Sequence, residues 1–222
     1  MRIFSAYYFV NLKQKSFKNF YDLYNLLVNL SDVKPFTVWT YSVFPLKNID
    51  LLFWLSFNFE DEDVLPKFLA QISKVFYDEE VDLKDTLWGF TKESVYSKAK
   101  KSPQEIDPFD NSRKKYLIVY PFVKSAEWYL LKQDTRQGMM NEHIRIGRQY
   151  PSVLQLLLYS FGLNDYEFVV SYETDSLVEF EKLVYDLRSS EARKYTLKDT
   201  PIYTAVYRNP EELKEIFNKR NF

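Results

Sequence analysis

Apolar positions along the chain recur with two different periods. The runs 2–12 ("RIFSAYYFVNL"), 36–45, 50–59 ("DLLFWLSFNF") and 83–91 are continuously apolar or alternate, and each predicts a strand. Between them, 15–30 ("KSFKNFYDLYNLLVNL") and 62–77 ("EDVLPKFLAQISKVFY") repeat apolar residues every three or four positions, which predicts helices. The order is β-α-β-β-α-β. A polar, turn-rich stretch follows at 97–115 ("SKAKKSPQEIDPFDNSRKK"), and the order then restarts. Strands are expected near 116–123, 152–161, 166–174 and 201–207, helices near 134–149 and 176–188, and a last helix near 210–219.

The restart is visible in residues as well as in period. "DLLFWLSFNFEDEDVLPKF" from Asp50 and "DYEFVVSYETDSLVEFEKL" from Asp165 both carry Phe three positions on and Ser six positions on. An aromatic residue, acidic residues and an amphipathic helix follow in each. The fold class expected is α+β: two ferredoxin-like β-α-β-β-α-β halves forming a dimeric α+β barrel within one chain. The divisions expected are 1–96, a linker at 97–115, and 116–222.

Composition narrows the function. The 222 residues are 46% hydrophobic and 27% charged, which suits a globular protein with a sizeable core. A net charge of −1 provides no electrostatic footprint for nucleic acid, so no nucleic-acid partner is expected. Cysteine is absent, which excludes disulfides, thiolate metal sites and cysteine nucleophiles. No apolar run approaches the roughly 20 residues that span a bilayer, and no cleavage site follows the first strand. No membrane partner and a cytoplasmic location are the expectations. Aromatic residues reach 18%, enough to line a large apolar pocket as well as a core.

The chain has one histidine, His143, in the helix expected at 134–149. Met139, His143, Ile146 and Tyr150 share one face there, with Met140 and Ile144 beside it. Gly147, one turn on, removes a side chain and lets something flat approach. A single imidazole on an apolar wall with a local gap suits an axial haem ligand. It does not suit zinc, which needs three or four ligands at set spacings.

Four segments, "YPFVKSAEWYLL", "EHIRIGRQY", "GLNDYEF" and "FEKLVYDLR", stand in the order and at nearly the spacing of the chlorite-dismutase-like haem proteins. The chain resembles that family over about 115–207, and its coproheme decarboxylase branch most. The resemblance implies that His143 ligates iron from the proximal side, with Glu191 of "EARKY" as acceptor for its second nitrogen. It puts Gln155 at the distal position, although a one-residue shortening between His143 and Gly162 leaves Leu156 as the alternative. Chlorite dismutases carry arginine there, and glutamine argues against chlorite chemistry.

Further roles follow from the same resemblance. Tyr120 would yield an electron and a proton to oxidised haem and then take hydrogen from a propionate. Lys124 would pair with a propionate carboxylate, Trp128 would lie at the porphyrin edge, and Arg188 matches the arginine that ends the family's helix. The cofactor implied is haem b or iron-coproporphyrin III, the co-substrate hydrogen peroxide, and the assembly a homopentamer. The reaction implied is peroxide-dependent decarboxylation of iron-coproporphyrin III to haem b. A haem peroxidase of the same fold and a non-catalytic porphyrin-binding module are the rival readings.

Some positions depart from the family pattern. Phe122 replaces methionine, Ile144 replaces glycine, and Glu191 replaces the serine of Ser-Ala-Arg. "EIDPF" at 105–109 stands where a propionate-binding arginine is expected, with Lys100, Lys101 or Arg113 as substitutes.

Overall fold

The protein is described from a computed structural model over residues 2–13, 17–30, 35–43, 48–77, 81–96 and 102–218. Lys100 and Lys101, and the expected element ends at 15–16, 44–45 and 219, lie outside these residues. Two compact units divide the chain. One comprises 1–90, 108–111 and 203–222; the other comprises 91–107 and 112–202.

The first unit runs β1 (Arg2–Leu12), α1 (Phe17–Val28), β2 (Phe36–Val43), β3 (Leu51–Phe59), α2 (Val64–Phe76) and β4 (Val81–Phe90). All pairings are antiparallel, and the order β4-β1-β3-β2 is the ferredoxin-like one. Both faces of β1 are buried, which is why its sequence is apolar without alternation. Phe4, Ala6, Tyr8 and Val10 join Phe53, Leu55 and Phe57 of β3 in a core with Phe20 and Leu27 of α1 and Phe68 and Ile72 of α2.

The second unit runs β5 (Tyr116–Lys124), α3 (Ala126–Leu130), α4 (Gln133–Gly147), β6 (Leu154–Tyr159), β7 (Phe168–Thr174) and α5 (Leu177–Arg188). A 3-10 turn (Glu191–Tyr195) leads into β8 (Thr196–Lys198). The antiparallel order β6-β7-β5-β8 repeats that of the first unit. Ser56 and Ser171, matched in the sequence repeat, occupy equivalent buried positions on β3 and β7. The α+β class is therefore observed, and the internal repeat is structural.

A strand was expected at 201–207, and the structure adds a short one before it, β8, which pairs with the end of β5. The later strand, β9 (Tyr203–Tyr207), pairs with β2 in the first unit, where Tyr41 faces Tyr207. Tyr203 stacks on Phe9 with ring centroids 3.9 Å apart. The last helix, α6 (Pro210–Asn218), starts with a reciprocal capping box between Asn209 and Glu212 and adds Leu213 and Phe217 to the first core.

Candidate functional site

The second unit's sheet presents one face to its helices. Residues paired directly across antiparallel strands share a face, so Gln155, Tyr172 and Ile118 lie on one side, with Leu157, Val170 and Tyr120 in the next row. Ile146 of α4 and Leu183, Phe180 and Leu187 of α5 pack against this side. Leu156, Ser171 and Glu173 point the other way. Of the two distal candidates, Gln155 is on the helix-facing side with Tyr120, and Leu156 is buried on the opposite side. The strand is held there by the preceding segment: Gln155 N–H donates to the Gln104 carbonyl at 2.7 Å, and Ile106 N–H donates to the Gln155 carbonyl at 3.0 Å.

His143 sits on α4, with its side chain half-buried and Nδ1 sealed from solvent. Nδ1 has no hydrogen-bond partner among the described residues. Burial, and then the Lys124 charge, push the imidazole down to about 4, against a smaller opposing effect of Glu142. At neutral pH it is an uncharged ring with a lone pair available, the form a metal takes. A Cβ on Gly147 would meet no atom within 4 Å, so the space beyond the next turn is open. An orphaned buried nitrogen on a neutral imidazole, with open space at Gly147 one turn on, would fit ligation of an iron porphyrin by His143. Among the described residues no group of three or more His, Asp or Glu is arranged to hold a metal ion by itself.

Lys124 ends β5 beneath the Trp128 ring, its Nζ 4.7 Å from the ring centre. Its Nζ donates to the Ala192 carbonyl at 3.0 Å and to Thr196 Oγ1 at 3.1 Å, both neutral acceptors. Burial, then the nearby Arg193 charge, bring the ammonium down to about 8, and Glu167 partly offsets them. Trp128 is buried on the short α3, packed against Tyr195 with centroids 5.7 Å apart.

Tyr120 lies 6.1 Å from Tyr172 between ring centres, and the two hydroxyls share a hydrogen bond. Burial holds the Tyr120 hydroxyl above the ordinary phenol range. The Tyr172 bond lowers it, Asp199 raises it, and the charges of Arg188 and Arg193 lower it. Arg188 and Arg193 meet Asp199 at 2.8 Å and 3.1 Å. These residues form one charged cluster: Arg188 and Arg193, joined by Asp199, lie near the Tyr120 phenol, and Lys124 lies near Arg193.

Two sequence expectations are met by different partners in the structure. The Glu191 carboxylate is held by Lys194 Nζ at 2.8 Å and 2.9 Å on an exposed surface, rather than by His143. Glu191 reaches the histidine helix through its backbone instead, its N–H donating to Glu142 Oε2 at 3.0 Å. Arg113 cannot stand in for a propionate-binding arginine. It is buried in an ion pair with Glu173 at 3.4 Å, and Glu173 points away from the Tyr120 face. Arg193, Asp199, Tyr172 and Thr196 belong to the cluster without having been singled out. For Arg193 the signal was present in "EAR", the match to the family's Ser-Ala-Arg.

A family model described as chlorite dismutase matches residues 15–208. A coproheme decarboxylase from Mycolicibacterium smegmatis is 39% identical over 98 residues, 44% of this chain and 42% of that protein. The chain thus matches less than half the length of that relative. The solved chlorite dismutase from Candidatus Nitrospira defluvii in complex with imidazole superposes with a TM-score of 0.80, over 97% of this chain and 94% of that one at 20% identity. A mutant of it in complex with cyanide does so with the same score, over 97% and 94%, at 21% identity. At that identity the likeness is one of fold.

Proposed function

The chain belongs to the chlorite dismutase family, and within it we propose a coproheme decarboxylase-like enzyme that turns two propionates of iron-coproporphyrin III into vinyl groups with hydrogen peroxide. For each propionate, the carboxylate leaves as carbon dioxide and the side chain loses one further hydrogen. One peroxide takes up the two electrons and, with two protons, becomes two waters. The observation that carries the reading is the Tyr120 hydroxyl beside Arg188 and Arg193, in the same unit as the one histidine, whose imidazole lies near Lys124. The match to a decarboxylase supports it.

The iron porphyrin, when bound, supplies the redox chemistry that consumes peroxide. The protein's residues bind and orient it. His143, neutral at working pH, would ligate the iron, and Lys124 and Arg188 would hold carboxylates. Tyr120 keeps its proton at Oη, because burial disfavours the phenolate, so electron and proton can leave it together. Gln155 would offer the bound group a neutral amide, where chlorite chemistry calls for a cation. Trp128, buried with its ring over Lys124, would lie beside the bound group. Mass spectrometry of the pigment after incubation with iron-coproporphyrin III and peroxide tests the reading. Loss of two carboxyl groups is expected; an unchanged porphyrin that oxidises added donors would make the protein a peroxidase, and no uptake would end the enzyme reading.

A further inference from the structure

Asp199 is the one acidic partner in contact with both arginines beside Tyr120 among the described residues. A single oxygen, Oδ2, serves both guanidiniums, at 2.8 Å from Arg188 and 3.1 Å from Arg193. Its side chain is only 20% exposed, and its charge reaches the Tyr120 hydroxyl. Lys124 adds a third cation close to Arg193 and is satisfied by neutral oxygens alone. The group that neutralises the arginines is chemically the same as the group on a propionate. It is, however, tethered to the loop between β8 and β9 rather than to a ligand.

We infer that Asp199 is an internal competitor for the carboxylate position between Arg188 and Arg193: it fills that position in the porphyrin-free protein and exchanges with a ligand carboxylate. The inference rests on the porphyrin reading for the identity of the ligand, and on the two ion pairs for the site. Exchange has an energetic consequence. An incoming carboxylate gains only the difference between two similar ion pairs, so it is positioned without being over-bound. When that carboxylate leaves as carbon dioxide, Asp199 returns and the two part-exposed guanidiniums regain an anionic partner. Asp199 therefore keeps the substrate and product complexes close in free energy, which favours turnover over tight binding.

Asp199→Asn and Asp199→Glu test this with three probes: iron-coproporphyrin III, which has four propionates, iron-protoporphyrin IX, which has two, and inorganic phosphate on the porphyrin-free protein. The asparagine variant is expected to bind iron-coproporphyrin III about 5- to 10-fold more tightly, because two part-exposed ion pairs no longer have to break. Iron-protoporphyrin IX should shift less than about twofold, and the glutamate variant should track the parent. Turnover by the asparagine variant should show KM and kcat falling together. Its porphyrin-free form should also gain thermal stability from phosphate beyond any gain in the parent. A folded Asp199→Asn protein that binds iron-coproporphyrin III no more tightly than the parent and ignores phosphate would overturn the inference and leave Asp199 a structural pin. If neither protein takes up porphyrin, the proposed function fails by itself, and the phosphate measurement alone decides the role of Asp199.

Discussion

The single imidazole permits an unusually direct experiment. Histidine labelled with carbon-13 yields one ring resonance from this chain, so its titration in the porphyrin-free protein needs no assignment. Burial and the Lys124 charge bring His143 from the ordinary 6.5 to about 4. The folded state therefore resists protonating a ring that the unfolded chain protonates readily. Between pH 6.5 and 4 the unfolded chain binds more protons, so this contribution to stability falls as the pH is lowered through that window. At 1.36 kcal/mol per pH unit the whole effect is at most about 3 kcal/mol, and about 2 kcal/mol of it lies between pH 7 and 5. The resonance should stay flat from pH 8 down to about 5.5. Urea midpoints should show that the parent loses about 2 kcal/mol more between pH 7 and 5 than His143→Gln does. Lys124→Met, by removing the neighbouring charge, should move the His143 midpoint upward. A midpoint at or above 6 in folded parent protein would refute the argument, and with it the claim that a neutral ring awaits a metal.

Other substitutions probe the rest of the cluster. Tyr120→Phe should retain porphyrin affinity, since ring packing survives, yet lose decarboxylation by mass spectrometry; full conversion would remove Tyr120 from the chemistry. Lys124 titrates near 8 when free, and a bound carboxylate raises it again, so binding takes up a proton and iron-coproporphyrin III affinity should weaken about tenfold from pH 7 to 9. Lys124→Met should flatten that profile, and an unchanged slope would count against a carboxylate partner. Glu173→Gln should cost about 3–5 kcal/mol in urea denaturation, because it strands buried Arg113, whereas a cost below about 1 kcal/mol would show that the pair is solvated.

The sequence made the periodic elements legible because their periodicity comes from local burial: each strand and long helix shows which of its faces meets a core. Pairing partners are not local. Nothing in "YTAVY" tells that it pairs with β2, and only the structure shows that pairing. The 3-10 turn and β8 are too short for periodicity to register, and they carry Arg193, Thr196 and the approach to Asp199. The residues of the cluster read from motifs, Tyr120, Lys124, Trp128 and Arg188, were legible because they recur at fixed spacing. Asp199 was not, because a counter-ion is defined by where two arginines end in space.

Register decides what the site can do. Side chains alternate along a strand, so a slip of one residue in β6 or β7 would exchange every residue of the helix-facing side for its neighbour. Leu156 would replace Gln155, removing the amide from that side. Glu173 would replace Tyr172, bringing a carboxylate next to Tyr120 and taking Arg113's partner away. The slip is resisted from both sides. Tyr172 is paired across β7 with Gln155 and Ile118 and packs with Phe180, while Glu173 is held by Arg113 on the other side. Gln104 adds a third restraint: its Nε2 donates to the carbonyls of Gly147, Tyr150 and Val153 at 3.2, 2.9 and 3.2 Å, tying the end of the histidine helix to the start of β6. The buried ion pair thus helps set which side chains of the sheet face α4 and α5, and a polar pair buried at a cost in stability fixes the register.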